Sequence, residues 1–173
     1  MTEKTLTCDV LIVGGGPAGL FVAATLPDDV KTVVVHQDAE IGLPIRTSGV
    51  SWSSDVEKLG IPPEMCRVLD VAEAFSDRAH AVLPIEKEVP VMLDTPVLYK
   101  WLAAKSDHKD RTLLLSTKFL TTRQRDDGLY ESEIRSRGSD VERVVSKYIV
   151  DGSGWHFAVL SALGLRQKPE RLG

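Results

Sequence analysis

The sequence predicts an α/β domain built on a parallel sheet with crossover helices, and three observations carry this prediction. A β-branched apolar run at Cys8–Val13 leads directly into Gly14–Gly16, which is typical of a buried parallel strand that ends in a tight turn. Pro17 then opens a short apolar helix over Ala18–Leu26, at a position where the first helical turn tolerates proline. A second β-branched run at Lys31–His36 completes the strand–helix–strand unit of a right-handed crossover.

The rest of the chain predicts more of the same sheet and an antiparallel β-meander. Asp94 is placed to cap a helix over Thr95–Lys105. Asp126-Asp127-Gly128 is a hairpin signal between two meander strands, Phe119–Arg125 and Leu129–Arg135. The other predicted elements are a long loop over 37–54, helical segments at Asp55–Leu59 and Pro63–Cys66, strands at Val71–Phe75, His80–Leu83, Val89–Leu93, Arg111–Leu115, Glu142–Val145 and Lys147–Val150, and a helix over His156–Leu163.

Composition and charge narrow the function classes. At 173 residues the chain is predicted to be one domain over 1–173, and a net charge of −4 without a basic stripe gives no reason to expect nucleic acid. No run of 18 apolar residues and no signal-peptide pattern occur, so we expect no transmembrane segment and a cytoplasmic location. The four histidines lack metal-ligand spacing, and Cys8 and Cys66 fit no disulfide framework. We therefore expect no metal site, and we expect both cysteines to be small buried residues.

A glycine-rich turn carries the main functional signal. Gly14, Gly16 and Gly19 satisfy the pattern G-x-G-x-x-G directly after a strand and at the start of a helix. In that pattern the first glycine permits the tight turn, the second lets a pyrophosphate approach the backbone, and the third lets the helix lie against the strand. Free N–H groups and the positive end of the helix dipole favour the phosphates. The predicted binding residues of this segment are Gly14, Gly15, Gly16, Pro17, Ala18 and Gly19.

The end of the second strand departs from the usual pattern. A dinucleotide-binding unit usually has an acidic residue there, which binds a ribose 2′-hydroxyl, but this chain has His36 and Gln37 followed by Asp38. His36 can still form a hydrogen bond to a ribose oxygen, and Asp38 is near enough in sequence to reach the same place. Because the acid is absent at this position, NADP is an alternative ligand. An ordinary polar residue at a strand end is the alternative interpretation of His36.

Three segments together resemble a known family. They are Gly14–Leu20, Glu40–Trp52 and Asp151–Trp155, and their order and spacing resemble FAD-dependent oxidoreductases of the geranylgeranyl-reductase-like branch of the flavoprotein monooxygenase superfamily. The resemblance implies a Rossmann-like FAD-binding domain in which the glycine turn holds the FAD pyrophosphate and His36 and Gln37 lie at the ribose. It also implies that Arg46, Thr47 and Ser48 lie along the flavin side of the cofactor. A solvated loop arginine and ordinary turn hydroxyls are the alternatives for these three residues.

This chain departs from the family that it resembles in two ways. The family usually has an arginine that contacts the cofactor at the start of the helix where this chain has Thr95-Pro96. The family's C-terminal substrate domain, with a second Gly-Asp contact to the flavin, is missing from the sequence. We therefore interpret 1–173 as an incomplete FAD/NAD(P)-binding domain, with the polar stretch Arg166–Gly173 at its end.

Three functions follow as hypotheses. The first is the FAD-binding portion of an oxidoreductase that transfers hydride through the flavin from NAD(P)H to a small, apolar or prenyl-type substrate. The second is an NADP-binding domain, and the third is a non-catalytic, truncated flavoprotein fragment that acts as a binding module. No residue qualifies as a catalytic acid or base, the oligomeric state is not predicted, and Trp52, Trp101 and Trp155 are interpreted as core residues.

Overall fold

The computed structural model describes residues 5–83, 85 and 88–165, so the predicted polar end at Arg166–Gly173 lies outside the described residues. The chain divides into two compact units. The first unit is formed by Met1–Leu43 together with Tyr99–Gly173, and the second unit is formed by Pro44–Leu98.

The strands and helices of the described residues are short or of medium length. The strands are β1 (Thr5–Val13), β2 (Thr32–Val35), β3 (Val50–Trp52), β4 (Cys66–Val68), β5 (Ala72–Ser76), β6 (Ala79–Leu83), β7 (Pro90–Leu93), β8 (Arg111–Leu114), β9 (Thr117–Gln124), β10 (Tyr130–Ser136) and β11 (Val141–Asp151). The helices are α1 (Pro17–Thr25), α2 (Ser53–Lys58), α3 (Thr95–Lys105) and α4 (Ala158–Ala162), with single 3-10 turns at Pro63–Met65 and Gly154–His156. None of the helices in these described ranges is long and apolar enough to cross a membrane.

A six-stranded sheet organises the first unit, in the order β8-β2-β1-β11-β10-β9. The four strands β8, β2, β1 and β11 run parallel, and β10 and β9 continue the sheet antiparallel as a meander. This arrangement confirms the predicted fold class, a Rossmann-like α/β fold with a parallel sheet, crossover helices and an antiparallel meander. Because β1 lies between two parallel neighbours, its carboxyl end is at the centre of the parallel part.

Alternate residues of β1 pack into two apolar clusters, because successive side chains of a strand point to opposite faces. Leu11 and Val13 belong to a cluster that includes Val159 of α4. Val10 and Ile12 belong to a second cluster that includes Ala23 of α1. Both faces of the parallel sheet are therefore covered, as a strand with a continuous apolar sequence requires.

The predicted break between two late strands is wrong. Glu142–Val145 and Lys147–Val150 were expected as separate strands, whereas β11 runs unbroken from Val141 to Asp151. Ser146, which lies between the two predicted strands, is 1% exposed and pairs with Cys8 on one side and Tyr130 on the other. The strand continues through this position because it pairs on both edges, so the backbone groups of Ser146 are satisfied.

The second unit holds a three-stranded antiparallel sheet, in the order β3-β7-β4, and a two-stranded hairpin of β5 and β6. β3 lies within the segment 37–54 that was predicted as a loop, and β4 was not predicted. Both strands have three residues, which is too short for alternation to be visible in the sequence. The predicted helix over Thr95–Lys105 is confirmed, and Asp94 Oδ1 accepts a hydrogen bond from the Val97 N–H at 3.3 Å.

The tryptophans depart from the predicted core. Trp101 is half-buried against Leu20, Ile41 and Leu102. Trp52 is 48% exposed and Trp155 is 77% exposed, so the core interpretation is wrong for these two. Aromatic character alone does not predict burial, because an aromatic side chain can also pack at the exposed edge of a strand or helix.

Candidate nucleotide-binding site

The carboxyl end of β1 turns on glycines that leave no room for side chains. Gly14 has φ +111°, and a Cβ built on it would lie 2.2 Å from the Gly152 carbonyl oxygen. A Cβ on Gly19 would lie 2.0 Å from the Gly14 carbonyl oxygen. The ends of β1 and β11 and the first turn of α1 therefore meet backbone to backbone, and the roles predicted for the first and third glycines agree with this geometry.

Gly16 differs from the other glycines of the turn. A Cβ built on Gly16 would meet no protein atom within 4 Å, and its backbone is extended at φ −84° and ψ −176°. Neither the fold nor the backbone conformation therefore requires glycine at this position. The space above Gly16 is what a pyrophosphate needs in order to reach the backbone.

The start of α1 presents the donors for such a group. Pro17 is the first helical residue, and Leu20 donates its N–H to the Gly16 carbonyl oxygen at 2.9 Å as the first bond of the helix. The N–H groups of Ala18 and Gly19 precede that bond and have no acceptor within the helix. No acidic residue lies in this first turn to compete for them. The positive end of the helix dipole is thus available to an anion.

Two other amides of the turn are already used by the protein. Gly14 donates its N–H to the Val35 carbonyl oxygen at 2.9 Å, and Gly15 donates its N–H to His36 Nδ1 at 3.2 Å. Because Nδ1 accepts, the hydrogen of the neutral ring is on Nε2, which lies 3.5 Å from Asp38 Oδ2. The imidazole, whose side chain is 12% exposed, therefore braces the turn.

The carboxyl end of β11 lies beside the carboxyl end of β1, where Gly152 meets Gly14. Asp151 Oδ1 accepts hydrogen bonds from the Ser153 N–H at 3.1 Å and from the Ser153 hydroxyl at 2.5 Å. Asp151 Oδ2 accepts from the N–H groups of Val159 and Leu160, at 2.9 and 3.0 Å. One carboxylate thus caps α4 and fixes Gly152 against Gly14. Gly152 was not predicted as a site residue, although the Gly-Ser-Gly after a strand was a visible signal.

The remaining predicted site residues lie in two places. Gln37 is exposed directly after β2, in the first unit. Arg46, Thr47 and Ser48 are exposed residues of the second unit, and Thr47 Oγ1 accepts a hydrogen bond from the Gly49 N–H at 3.3 Å. The Thr47 contact is a local turn contact. Roles for these three residues at the flavin stay a prediction.

No group of three or more His, Cys, Asp or Glu residues that could hold a metal ion occurs among the residues that the structure describes. The Cys8 thiol is buried, and burial raises its pKa to about 11. This cysteine therefore behaves as an apolar core residue.

The sequence pattern of one family, described as FAD binding domain, matches residues 7–172. The match spans nearly the whole chain and includes both the glycine turn after β1 and Gly152, which meet backbone to backbone. The chain belongs to the FAD binding domain family. FAD is thus the dinucleotide that the family match supports.

Curated relatives support the predicted resemblance. The chain is 25% identical over 155 residues to digeranylgeranylglycerophospholipid reductase 3 of Methanosphaera stadtmanae, which covers 84% of this chain and 39% of the relative. It is 23% identical over 177 residues to digeranylgeranylglycerophospholipid reductase of Methanocaldococcus jannaschii, covering 99% of this chain and 44% of the relative. The chain therefore spans about two fifths of the length of the curated relatives it matches.

Solved structures share the fold. A geranylgeranyl bacteriochlorophyll reductase-like protein from Thermoplasma acidophilum superposes with a TM-score of 0.76 at 22% identity, over 94% of this chain and 43% of that protein. The flavin-dependent monooxygenase PieE, solved with FAD and substrate, superposes with a TM-score of 0.63 at 21% identity, over 92% of this chain and 32% of that protein. The family match and the curated reductases together with these structures confirm the predicted resemblance to the geranylgeranyl-reductase-like branch, and the solved structures by themselves show the shared fold.

Proposed function

We propose that this chain is the FAD-binding portion of a flavin-dependent reductase and that the turn after β1 holds the FAD pyrophosphate. The observation that carries the proposal is Gly16, the one glycine of the G-x-G-x-x-G pattern around which no protein atom lies within 4 Å of a Cβ. Gly14 and Gly19 are glycines because the protein's own backbone fills the space beside them. Gly16 has no such reason, so the reason is a ligand that approaches the backbone.

Each residue of the turn has a defined task in this proposal. The N–H groups of Ala18 and Gly19 are the donors to the pyrophosphate oxygens, and the dipole of α1 adds to their effect. His36 holds the Gly15 N–H at 3.2 Å and so fixes the path of the turn. The His36 Nε2–H and Gln37 are at the carboxyl end of β2, where a dinucleotide-binding fold binds the ribose.

The chemistry that FAD supplies when bound is hydride transfer, here from NAD(P)H to a small, apolar substrate of the prenyl type. This choice of substrate follows the reductases among the relatives, whose names specify geranylgeranyl groups. The chain contributes binding and orientation of the cofactor, and we assign no catalytic acid or base to it. A cytoplasmic location stays a prediction from the sequence.

The test is a titration of FAD into the purified full chain by calorimetry, with the visible spectrum recorded on the same samples. We expect stoichiometric binding and a yellow protein that keeps its flavin on a desalting column. Anaerobic mixing with NADH and with NADPH then follows loss of the flavin absorbance. A chain that binds no FAD would refute the proposal, and a chain that binds FAD without reduction would restrict it to the binding role.

The NADP alternative is separated by the same titration. If NADPH binds to the FAD-free chain and FAD does not displace it, the glycine turn is an NADP site and the flavin assignment fails. The binding-module alternative predicts that FAD does not raise the melting temperature. A true binder at a hundredfold excess over its dissociation constant gains about 2.7 kcal/mol of stability.

A further inference from the structure

A buried arginine lies at the amino edge of the parallel sheet, opposite to the edge that carries the glycine turn. Arg111 is the first residue of β8, and its side chain is only 6% exposed. In the register of the sheet Arg111 lies beside Thr32 of β2, and Thr32 lies beside Val10 of β1. Paired residues share a face of the sheet, and Val10 packs in the cluster that includes Ala23 of α1. The Arg111 side chain therefore lies on the face that α1 covers.

The Arg111 guanidinium contacts the carboxyl end of α1. Its Nη2 donates hydrogen bonds to the carbonyl oxygen of Leu26, the residue at which the helix ends, and to the Pro27 carbonyl oxygen at 3.4 Å. The last carbonyls of a helix have no partner within the helix, and α1 has no basic residue in its last turn. A cation from another strand, 85 positions away in the sequence, therefore satisfies this end of α1 and stabilises the negative end of its dipole.

Stability alone gives little reason for the burial of Arg111. Asp28 Oδ1 lies 3.6 Å from Arg111 Nη2, but the Asp28 side chain is 79% exposed, so this ion pair contributes little. Arg111 Nε is buried, and no acceptor among the described residues lies within hydrogen-bond distance of it. A buried cation with an unpartnered donor costs free energy. An apolar side chain of similar length would therefore fill the same position without loss of stability.

The helix α1 is held at both ends. At the amino end, a Cβ built on Gly19 would lie 2.0 Å from the Gly14 carbonyl oxygen, so the two backbones are in close contact. At the carboxyl end, Arg111 donates to two carbonyl oxygens. The helix has 9 residues, so these two anchors are about 14 Å apart. Together they fix the direction of the helix axis, and with it the direction in which the N–H groups of Ala18 and Gly19 point.

We propose that Arg111 is a positioning residue for the FAD pyrophosphate, and that it acts through α1 from the end of the helix that lies away from the phosphates. Without Arg111 the helix is free to tilt about the Gly14–Gly19 contact, and its free N–H groups no longer converge on the phosphate oxygens. The lost cation also removes a favourable charge at the end of the helix dipole. Both effects weaken the binding of an anion at the amino end. This role rests on the proposed function, which places the pyrophosphate at that end.

The test measures FAD affinity by calorimetry and the melting temperature of the FAD-free form for variants of the full chain. Arg111→Met removes the hydrogen bonds and the charge but keeps an apolar stem, and it should weaken FAD binding about three- to tenfold. Its melting temperature should equal or exceed that of the wild type, because no unpartnered cation is buried any longer. Arg111→Lys keeps the cation but loses the planar fork of donors, so it should recover part of the affinity.

Lys109→Met is the matched control. It removes a cation two positions away, whose side chain is 81% exposed and whose Nζ lies 4.0 Å from Asp110 Oδ2. This variant should bind FAD as tightly as the wild type. Wild-type FAD affinity in Arg111→Met would overturn the proposal whatever its melting temperature, since Arg111 would then have a structural role only. An equal loss of affinity in Lys109→Met would show a nonspecific charge effect and would also overturn it.

Amide NMR spectra of the FAD-free chain report on the position of the helix directly. The resonances of Ala18 and Gly19 should shift in Arg111→Met and in Arg111→Lys, and they should stay at their wild-type positions in Lys109→Met. If Arg111→Met does not fold, wild-type resonances and wild-type FAD affinity in Arg111→Lys would overturn the proposal. A wild type that binds no FAD would refute the proposed function itself. A wild type that binds FAD no more tightly than a folded Arg111→Met would refute only the positioning role.

Discussion

The backbones of Gly14 and Gly152 meet so closely that a Cβ on Gly14 would lie 2.2 Å from the Gly152 carbonyl oxygen and 2.6 Å from its carbon. A Cβ on Gly152 would in turn lie 3.2 Å from the Gly19 Cα. Gly14, Gly19 and the distant Gly152 therefore form one contact between two parallel strands and a helix. The contact sets where the glycine turn lies and which way α1 begins.

Gly14→Ala should destabilise the fold by about 3 kcal/mol or more, because a methyl group would overlap a carbonyl and the backbone would keep an unfavourable φ. Gly128→Ala is the matched control, since Gly128 has a positive φ of 82° but no atom within 4 Å of a built Cβ. The control should lose only about 1 kcal/mol. Urea denaturation of both variants measures the difference, and equal losses would contradict the close contact.

His36→Phe should lower the free energy of unfolding by about 1–3 kcal/mol, because the Gly15 N–H would face an apolar ring and lose its acceptor. His36→Asn is the control, because its Oδ1 takes the position of Nδ1, can accept the same hydrogen bond and should recover part of the loss. FAD affinity should fall with His36→Phe in parallel, since the turn is no longer braced. If the His36→Phe and His36→Asn variants were equally stable, the His36–Gly15 hydrogen bond would have no role in the turn.

Asp151→Asn should destabilise the chain by about 1–3 kcal/mol, because an amide nitrogen would replace one of two carboxylate oxygens that both accept N–H donors. Asp140→Asn, an exposed residue at the turn before β11, removes the same charge and should be neutral. Thermal unfolding followed by circular dichroism gives both values. An Asp151→Asn variant as stable as Asp140→Asn would refute the capping role.

Cys8 should resist alkylation in the native protein, since the thiolate is the reactive form and burial raises the Cys8 pKa to about 11. Burial also raises the pKa of Cys66, but this thiol is only half-buried and reagent can reach it, so it should react first. Mass spectrometry after iodoacetamide treatment at pH 8 counts the labelled cysteines. The control is the urea-unfolded chain, in which both cysteines should be labelled. Rapid labelling of Cys8 in the folded chain would contradict its place in the core.

Much of the first unit was predictable because its signals are local. Cys8–Val13 is apolar and β-branched, and a strand buried on both faces needs no alternation to be recognised. The turn is predicted by the spacing of Gly14, Gly16 and Gly19, and the hairpin of β9 and β10 is predicted by Asp127-Gly128. In each case the residues that determine the element lie within a few positions of one another.

The unpredicted features depend on contacts between distant residues. Gly152 matters because it meets Gly14, and no local rule connects positions 14 and 152. His36 accepts a hydrogen bond from the Gly15 N–H across 21 positions, whereas the sequence predicted only a contact with a ribose or an ordinary polar residue at a strand end. The two strands predicted around Ser146 form one strand because Ser146 pairs with Cys8 and Tyr130, which come from elsewhere in the chain.

The central claim concerns the open space at Gly16, and a calorimetric titration of FAD into Gly16→Ala beside the wild type tests it most directly. Its backbone at φ −84° accepts alanine and no atom lies within 4 Å of the new methyl, so without FAD the variant should stay within about 1 kcal/mol of the wild type. We predict that FAD affinity falls at least about tenfold, because the methyl occupies the place of the pyrophosphate. A folded Gly16→Ala variant that binds FAD as tightly as the wild type would contradict the account.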